Sequence, residues 1–482
     1  MTEQRLAAAH DPATSAGFSI SSQVLPGLMA ALDTLAIWSV ALISFAALVG
    51  GYLDEAEHYI TAICFVWLVT LMLMHFAGLY QLEPIMRPLG FVDKFLVAFA
   101  TTVLFLLAAV FALKVSADFS RLWMAAFTAG ACSTTLVVRI VASLVLRRLA
   151  DKRVFTRHVV IVGAGEQAKR LLAHIDANPP QFVSVLGIFA QDKGAISPLS
   201  NRYPVLGTFD ELVSFARHHK VDDVVIALPW SADEQISALV GMLRELPVHV
   251  YLGSDLVGFR LPFRAAPDHF GGMPLVEVMG HPLAGWGSVQ KAALDYGIGL
   301  ILTVILAPMM AIIAIAIKLD SRGPVLFRQN RYGFVNRIFL INKFRTMRHS
   351  DVTEEKTKQA TRDDPRVTRL GRFLRRTSLD ELPQLFNVLN GTMSLVGPRP
   401  HANDHNEIYS QLVLGYFIRH RVKPGITGWA QVNGYRGETK TLQDIEARVR
   451  HDIYYVDNWS PLLDLKILIR TVLICLTGRN AY

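Results

Sequence analysis

The stretch Val159-Val160-Ile161-Val162-Gly163-Ala164-Gly165-Glu166-Gln167-Ala168 marks the point where the chain changes from one kind of fold to another. Four consecutive apolar residues are typical of a short buried strand, and the glycines that follow are typical of a tight turn into a helix. Similar strand patterns follow at 183–189, 223–228 and 248–252, separated by helical patterns at 169–177, 209–218 and 233–244. This alternation predicts a parallel, Rossmann-like α/β domain over residues 151–270.

The turn itself has the form Gly163-x-Gly165-x-x-Ala168, which fits a dinucleotide-binding fingerprint. In that fingerprint an acidic residue binds the ribose, and the candidate here, Asp192, comes somewhat late in a loop. A bound nucleotide therefore remains open. The favoured interpretation is a turn that only packs a helix against a strand.

Upstream of this domain, four apolar runs at 25–50, 59–80, 91–115 and 122–146 are long enough to cross a bilayer. The apolar fraction of 52% is higher than ordinary soluble enzymes have. We therefore predict a disordered tail over residues 1–22 and a four-helix transmembrane bundle over 23–150. The basic residues follow the second and fourth runs, so the positive-inside rule places both ends of the bundle in the cytoplasm.

Asp33, Asp93 and Arg139 lie within or at the ends of these runs, and we expect structural rather than transport roles for them. The net charge of +8 fits anionic lipid or phosphorylated substrates, and no nucleic-acid-binding module is evident. The three cysteines occupy apolar stretches without metal-ligand spacing and are expected to be buried free thiols.

Downstream, a linker over residues 271–290 leads to an apolar run at 291–318 with Pro308 in its middle. Proline inside a helix costs about 3 kcal/mol and typically kinks it. The run is either a kinked transmembrane span or a re-entrant helix that breaks at Pro308 and returns to the same leaflet. Only the second keeps the rest of the chain on the cytoplasmic face.

The stretch Thr377-Ser378-Leu379-Asp380-Glu381-Leu382-Pro383-Gln384 contains the main candidate site. It places two adjacent carboxylates at a predicted helix start, where the helix dipole would lower the pKa of Asp380 and attract phosphate. Ser378-x-x-Glu381 also has the form of a capping box, although Pro383 weakens that interpretation. Paired carboxylates suit Mg²⁺ binding and nucleophilic catalysis on a phosphate.

Cations surround this stretch in the sequence. Lys343 and Arg345 alternate with Phe344, so on a strand both would point to one face and clamp a diphosphate, unless they only form the charged face of an edge strand. Arg399 lies between two prolines, which restrict its backbone.

Two later stretches complete the sequence signals. A glycine-rich loop brings Trp429, Gln431 and Asn433 together, which suits sugar or base contacts. The amphipathic stretch 459–476 is expected to lie in the headgroup plane rather than in a protein core.

The segments Lys343-Phe344-Arg345-Thr346-Met347, 375–384, Pro398-Arg399-Pro400 and 428–434 resemble the monotopic phosphoglycosyl transferases, the bacterial sugar transferase family. The four spans and the Rossmann-like domain resemble the large-membrane branch of that family. The C-terminal pattern looks most like its undecaprenyl-phosphate glucose phosphotransferases of exopolysaccharide synthesis. The resemblance covers nearly the whole chain and is more specific for the family than for the sugar.

The resemblance implies that a UDP-sugar and undecaprenyl phosphate react to give undecaprenyl diphosphate sugar and UMP. Asp380 would attack the sugar-linked phosphorus and carry the phosphosugar, and Glu381 would hold Mg²⁺. Lys343, Arg345, Arg375 and Arg399 match positive positions of the family's site.

The resemblance also implies an α+β catalytic domain over 291–482, with a re-entrant helix over 291–318, on the cytoplasmic face of the bacterial inner membrane. Where relatives often place serine before Pro308, this chain has Ala307. A homodimer is a further expectation by analogy.

Other functions remain open beside this one. Galactose or an N-acetylhexosamine could replace glucose, since the orientation of one hydroxyl is not legible from the sequence. A nucleotide-sensing membrane regulator would use the Rossmann-like domain, and a non-catalytic scaffold for polysaccharide assembly would not need the carboxylate pair.

Overall fold

The structure is a computed structural model that describes residues 24–50, 56–115, 119–151, 155–179, 182–191, 203–253, 275–348, 366–401, 403–435 and 441–477. These residues divide into two compact units, one ending at Thr156 and one beginning at Arg157. The predicted disordered tail, Asp192 and the side chain of Cys475 lie outside the described residues.

The first unit is helical. Its helices are α1 Leu25–Leu48, α2 Ala56–Phe76, the short α3 Leu82–Met86, α4 Val92–Ala112 and α5 Arg121–Asp151. The long helices share one apolar core, in which the ring of Tyr59 meets that of Trp123 edge to face at 4.7 Å. The helices match the four apolar runs predicted from the sequence.

A buried ion pair joins the first and last helices of this unit. Arg139 Nη2 donates to Asp33 Oδ2 at 2.6 Å, and the hydroxyl of Tyr80 donates to the same oxygen at 2.9 Å. Arg139 also donates to the carbonyl of Leu79 at 3.2 Å. Since a charge buried among apolar residues is costly unless it is paired, Asp33 and Arg139 have the structural role that the sequence predicted.

Five described helices are long and apolar enough to cross a membrane: Leu25–Leu48, Ala56–Phe76, Pro88–Ala112, Arg121–Ala150 and Trp286–Asp320. Helices of this length and composition are typical of a membrane protein. Cys64 and Cys132 in these segments are free, as predicted, but they are half-buried rather than buried.

The second unit begins with an α/β sheet of strand order β3-β2-β1-β4-β5-β6. The strands are β1 Arg157–Val162, β2 Val183–Ala190, β3 Val205–Thr208, β4 Asp223–Ile226, β5 His249–Gly253 and β6 Leu275–Met279. The helices are α6 Glu166–Ala177, α7 Phe209–His218 and α8 Asp233–Leu243. The first five strands are parallel and form the predicted sheet.

The prediction of a linker over 271–290 is wrong for its described part. Strand β6 lies within it and pairs antiparallel with β5, and the next helix already begins at Trp286. The end of this sheet also contacts the C-terminal part of the unit, since Arg421 Nη2 donates to the carbonyl of Gly280 at 2.7 Å.

The remainder of the second unit is built on one long helix. Its helices are α9 Trp286–Asp320, α10 Arg369–Thr377, α11 Gln384–Leu389, α12 Asn403–Leu412, α13 Trp429–Val432, α14 Leu442–Asp457 and α15 Pro461–Thr477. Its strands are β7 Leu326–Tyr332 and β8 Ile338–Phe344, which form a hairpin, and the parallel pair β9 Ser394–Val396 and β10 Gly425–Thr427.

Both ends of helix α9 are fixed to this α/β part. Near its start, Lys291 is buried and donates to Asp464 Oδ2 at 2.7 Å and to the carbonyl of Val396 at 3.0 Å. At its end, Arg345 donates to the carbonyl of Ser321 at 2.7 Å. The helix continues through Pro308 without interruption, so the predicted break in the helical backbone is not found.

Candidate active site

The two carboxylates lie between helices rather than at a helix start. Helix α10 ends at Thr377, Ser378 takes a left-handed conformation with φ +58°, and Leu379–Glu381 form one 3₁₀ turn. A left-handed residue after the last helical position is a common way to end a helix. No capping box forms, and Pro383 precedes the next helix, α11. The predicted helix start at Asp380 is therefore wrong.

Glu381 is buried and held by two cations. Its Oε1 accepts from Lys343 Nζ at 2.8 Å and from Arg399 Nη2 at 2.6 Å, and its Oε2 accepts from Arg399 Nη1 at 3.1 Å. Burial raises the pKa of Glu381, but Arg399 and Lys343 outweigh burial and hold that pKa well below its ordinary value. Glu381 is therefore ionised at neutral pH, and its three hydrogen bonds fix both cations in place.

Asp380 has a different environment although it is the next residue. Its side chain is half-buried, and no hydrogen bond or ion pair to it is found among the described residues. Burial raises the pKa of Asp380, the charge of Glu381 raises it further, and nearby cations only partly offset this, which leaves a pKa of about 6. The sequence argument from a helix dipole predicted a lowered pKa, and that prediction is wrong because burial dominates.

The predicted cations divide into two groups. Lys343 and Arg399 contact Glu381, and the charge of Arg375 acts on Asp380 while its Nε donates to Thr346 Oγ1 at 2.9 Å. Arg345 lies elsewhere. It follows the last residue of β8, and its guanidinium donates to the carbonyl of Ile317 in the last turn of α9 and to those of Ser321 and Arg322 just after it. Lys343 and Arg345 therefore do not form the predicted clamp.

Asn387 fixes the strand that carries Lys343. Its Oδ1 accepts from the backbone amide of Asn342 at 3.0 Å, and its Nδ2 donates to the carbonyl of Leu340 at 2.7 Å. Since Asn387 lies on α11, just after the carboxylate turn, it ties that turn to β8. The sequence analysis did not single it out, although an asparagine in the apolar run Leu385–Leu389 was a signal, because buried amides need partners.

A buried network fixes Arg399. Arg419 Nη2 donates to the carbonyl of Arg399 at 2.6 Å and forms an ion pair with Asp452 at 2.8 Å, while Arg419 Nη1 contacts the hydroxyl of Tyr416 at 3.2 Å. Arg419 and Asp452 are both almost fully buried. Their pairing between distant parts of the chain leaves no local sequence signal, so the sequence analysis missed them.

The backbone beside Arg399 depends on a close approach between β9 and β10. A Cβ atom on Gly425 would lie 2.0 Å from the backbone nitrogen of Gly397, and one on Gly428 would lie 2.2 Å from the carbonyl oxygen of Gly397. Only glycine fits at these positions. The glycines thus set the position from which Pro398 and Arg399 leave the strand.

Trp429, Gln431 and Asn433 form a separate group on and beside α13. Lys466 and Arg470 of α15 each lie 5.5 Å from the Trp429 ring, and Tyr454 stacks on that ring at 5.9 Å. Arg470 Nη1 donates to Asn433 Oδ1 at 3.5 Å, and the buried Gln431 Oε1 has no partner among the described residues. No hydrogen bond or ion pair between described residues joins this group directly to the carboxylate pair.

Comparison with known proteins finds two family matches and several named relatives. A sequence model of the bacterial sugar transferase family matches residues 286–478, and a model named for a CoA-binding domain matches residues 75–253. The UDP-glucose:undecaprenyl-phosphate glucose-1-phosphate transferase of Xanthomonas campestris pv. campestris is 38% identical over 78% of this chain and 79% of its own length. The transferase of the same name from Escherichia coli (strain K12) is 40% identical over 68% of this chain and 70% of its own length.

A third relative differs in the sugar that its name gives. The UDP-N-acetylgalactosamine-undecaprenyl-phosphate N-acetylgalactosaminephosphotransferase of Aeromonas hydrophila is 42% identical over 40% of this chain and 44% of its own length. The two transferases named for glucose match more than two thirds of this chain. Because of these matches, and of the family match over the part that carries Asp380 and Glu381, the chain belongs to the bacterial sugar transferase family.

Proposed function

We propose that this chain transfers glucose 1-phosphate from UDP-glucose to undecaprenyl phosphate, which releases UMP and forms undecaprenyl diphosphate glucose as the first membrane step of exopolysaccharide synthesis. The names of its relatives support this activity. The observation that carries it in the structure is Asp380, a half-buried carboxylate without a partner among the described residues, beside a carboxylate that holds two cations.

In the proposed mechanism, a carboxylate oxygen of Asp380 forms a bond to the sugar-linked phosphorus of the donor. The bond from that phosphorus to the bridging oxygen breaks, and this oxygen leaves on UMP with the electron pair. Lys343, Arg375 and Arg399 are the cations whose charges act on Asp380, and they stabilise the charge on the phosphoryl oxygens. The lipid phosphate then attacks the same phosphorus and frees Asp380, which gives ping-pong kinetics.

The expectation that Glu381 holds Mg²⁺ does not fit this geometry. Both of its oxygens already accept hydrogen bonds from Lys343 and Arg399. The described residues also contain no cluster of three or more His, Cys, Asp or Glu side chains suited to a metal ion. We therefore propose that Glu381 positions the two cations, and that Mg²⁺, retained as the proposed cofactor, binds through the donor's diphosphate oxygens.

Trp429, Gln431 and Asn433 remain proposed substrate-binding residues. The unpartnered Oε1 of Gln431 supports this role, since a buried amide oxygen costs free energy until it accepts a hydrogen bond. The two cations at the Trp429 ring fit an anionic group in the same place.

We further propose that α1, α2, α4 and α5 form a four-helix transmembrane bundle in the bacterial inner membrane and that the catalytic part lies on the cytoplasmic face.

For α9 we propose the re-entrant arrangement. In support of it, Lys291 near its start and Ser321 after its end both contact the same α/β part, which a single crossing would place on opposite sides of the membrane. Helix α15 exposes Leu462 and Ile469, which supports contact with lipid. A homodimer is proposed by analogy with the family.

The test of the function is a covalent adduct at Asp380. With UDP-glucose alone, the purified protein should release UMP once and gain a phosphohexose on Asp380, detectable by mass spectrometry. Asp380→Asn and Asp380→Ala should form no adduct and no product while remaining folded. Product formation at the wild-type rate by either variant would refute the nucleophile assignment.

The sugar is tested separately with UDP-glucose, UDP-galactose and UDP-N-acetylhexosamines. The relatives matched over most of the chain support glucose, whereas the N-acetylgalactosamine relative supports the alternative over a smaller share of the chain. UMP release that is fastest with another donor would replace glucose in the proposal.

The match to a CoA-binding domain favours a regulatory ligand as a second function. Against it, Gly163 has a structural reason to be glycine, since it has φ +117° and a Cβ atom there would lie 2.6 Å from the carbonyl oxygen of Ala227. If the turn only packs a helix against a strand, calorimetry of the full chain with coenzyme A, NAD or nucleotide sugars should show no binding to the Rossmann-like domain. Binding that persists in Asp380→Asn and disappears when the turn is altered would establish the regulator.

A further inference from the structure

Arg331 on strand β7 is a cation near the site that the mechanism above does not use. Its Nη2 donates to Gln329 Oε1 at 2.7 Å, and its buried Nε has no hydrogen-bond partner among the described residues. Burial lowers the pKa of Arg331 to about 10, the charge of Arg399 lowers it too, and Glu381 acts against both. Arg331 therefore remains charged at neutral pH, beside a second guanidinium.

The hairpin orders the cations along one face. Lys343 pairs with Phe327 and Phe339 pairs with Arg331, so Lys343 and Arg331 lie on the same face, four residues apart along β7. That separation is about 13 Å between backbone positions. Lys343 and Arg399 both bind Glu381, and Arg331 extends the row of cations from Lys343 towards the other end of the hairpin.

The two ends of the site have different neighbours. At the Lys343 end, Phe344 and Leu374 pack against Ile313 and Ile317 of the apolar helix α9. At the Arg331 end, a small cavity of about 10 Å³ is lined by Tyr332, Gly333, residues 398–400, Arg419 and His420 among others.

We propose that Arg331 is a catalytic residue that binds the donor phosphate which leaves with the nucleoside. This inference rests on the proposed function. Four cations, Lys343, Arg375, Arg399 and Arg331, face only two carboxylates, which leaves two positive charges for an anionic diphosphate. When the bridging oxygen leaves, the charge that accumulates on this phosphate is met by Arg331, whose guanidinium Gln329 already orients.

Both half-reactions and inhibition by UMP test this assignment, because in an in-line displacement the leaving phosphate and the attacking lipid phosphate both lie opposite Asp380. In the full-length protein, Arg331→Gln should slow formation of the Asp380 adduct from UDP-glucose by about 10- to 100-fold and weaken inhibition by UMP by a similar factor. Transfer from a preformed adduct to undecaprenyl phosphate should slow by a similar factor, because the lipid phosphate enters where the nucleotide phosphate left. Arg331→Lys should recover part of the loss, since it keeps the charge but not the planar fork.

Arg328→Gln is the matched control. Arg328 lies on the same strand but is exposed on the opposite face, paired with Asn342, and its loss should change neither half-reaction. The melting temperature of Arg331→Gln should not fall, because the substitution removes a buried charge that faces Arg399. A lower melting temperature together with unchanged half-reactions would mean that Arg331 is only structural.

The outcome also separates this inference from the proposed function. If the wild-type protein forms no adduct at Asp380, the proposed function fails before Arg331 is tested. If the wild-type adduct forms but Arg331→Gln leaves adduct formation and inhibition by UMP unchanged, or slows only the lipid step, the assignment to the leaving phosphate is overturned.

Discussion

At the scale of single residues, the structure separates two neighbouring carboxylates by their surroundings. Glu381 accepts three hydrogen bonds from cations, whereas Asp380 accepts none from the described residues and has a pKa raised to about 6. An ion-paired carboxylate is a poor nucleophile, while a carboxylate with a raised pKa is a better one and is still mostly ionised at pH 7. Burial and the charge of Glu381 thus destabilise the ionised form of Asp380, the proposed nucleophile.

The raised pKa of Asp380 predicts a pH-dependent stability. The pKa is about 6 in the folded state against an ordinary value of 3.8, so the protonated carboxyl stabilises the fold below about pH 4, and this contribution is lost as the pH rises through 6. Asp380→Asn keeps a neutral side chain. It should therefore exceed the wild type in stability by on the order of 1 kcal/mol at pH 8 and match it near pH 4, measured by denaturant unfolding. Equal stability at both pH values would contradict the raised pKa.

Glu381→Gln tests whether this residue holds a metal ion or positions cations. Loss of the ion pairs with Lys343 and Arg399 should lower turnover by about 10- to 100-fold. The Mg²⁺ concentration that gives half-maximal rate should remain within about twofold of the wild type, because both Glu381 oxygens are already engaged by the cations. A large shift in that Mg²⁺ concentration would restore Glu381 as the metal ligand.

Lys343 and Arg345 form a pair of matched variants. Lys343→Met removes a cation that contacts Glu381, so it should lower turnover strongly and stability little. Arg345→Met leaves the final carbonyls of α9 without a charged donor and should cost about 2 kcal/mol of stability, with the activity of the folded protein retained. Turnover per molecule of adduct-forming protein measures the effect on activity, and denaturant unfolding measures the effect on stability. An inactive but stable Arg345→Met would show that Arg345 acts in the active site.

At the scale of elements, the sequence predicted the helices and strands whose apolar periodicity can be seen over a few neighbouring residues. The strands β1, β2, β4 and β5 and their helices appear where apolar periodicity placed them. Strand β6 was missed because its exposed edge has no apolar alternation, as the exposure of Val276 and Val278 shows. Lys343 and Arg345 are two residues apart, as the prediction of a shared face required, but β8 ends at Phe344. Arg345 therefore lies outside the strand, and its side chain need not point to the same face as that of Lys343.

Helix α9 gives a prediction about topology. Its two ends contact one α/β part, so single cysteines at Ser288 and at Asp320 should both react with a membrane-impermeant maleimide from the cytoplasmic side of inverted vesicles. Val304→Cys, in the exposed apolar middle of the same helix, serves as the control that lipid should protect from the reagent. Labelling of the two ends from opposite sides would establish a single crossing.

At the scale of the whole molecule, the two compact units have separate apolar cores. One core contains only residues of the helical unit, and the cores of the α/β part contain only residues after Arg157. Asp380, Glu381 and the described cations around them all belong to the second unit. The described apolar cores of the second unit are therefore built from its own residues.

A chain that begins at Arg157 should accordingly fold and retain adduct formation. In detergent, it should form the Asp380 adduct from UDP-glucose at a rate within about tenfold of the full-length protein, since α9 still supplies an apolar helix beside the site. The same truncated chain with Asp380→Asn provides the control for the adduct. A truncated chain that is folded by circular dichroism yet forms no adduct, while the full-length protein does, would show that the helical unit takes part in the chemistry.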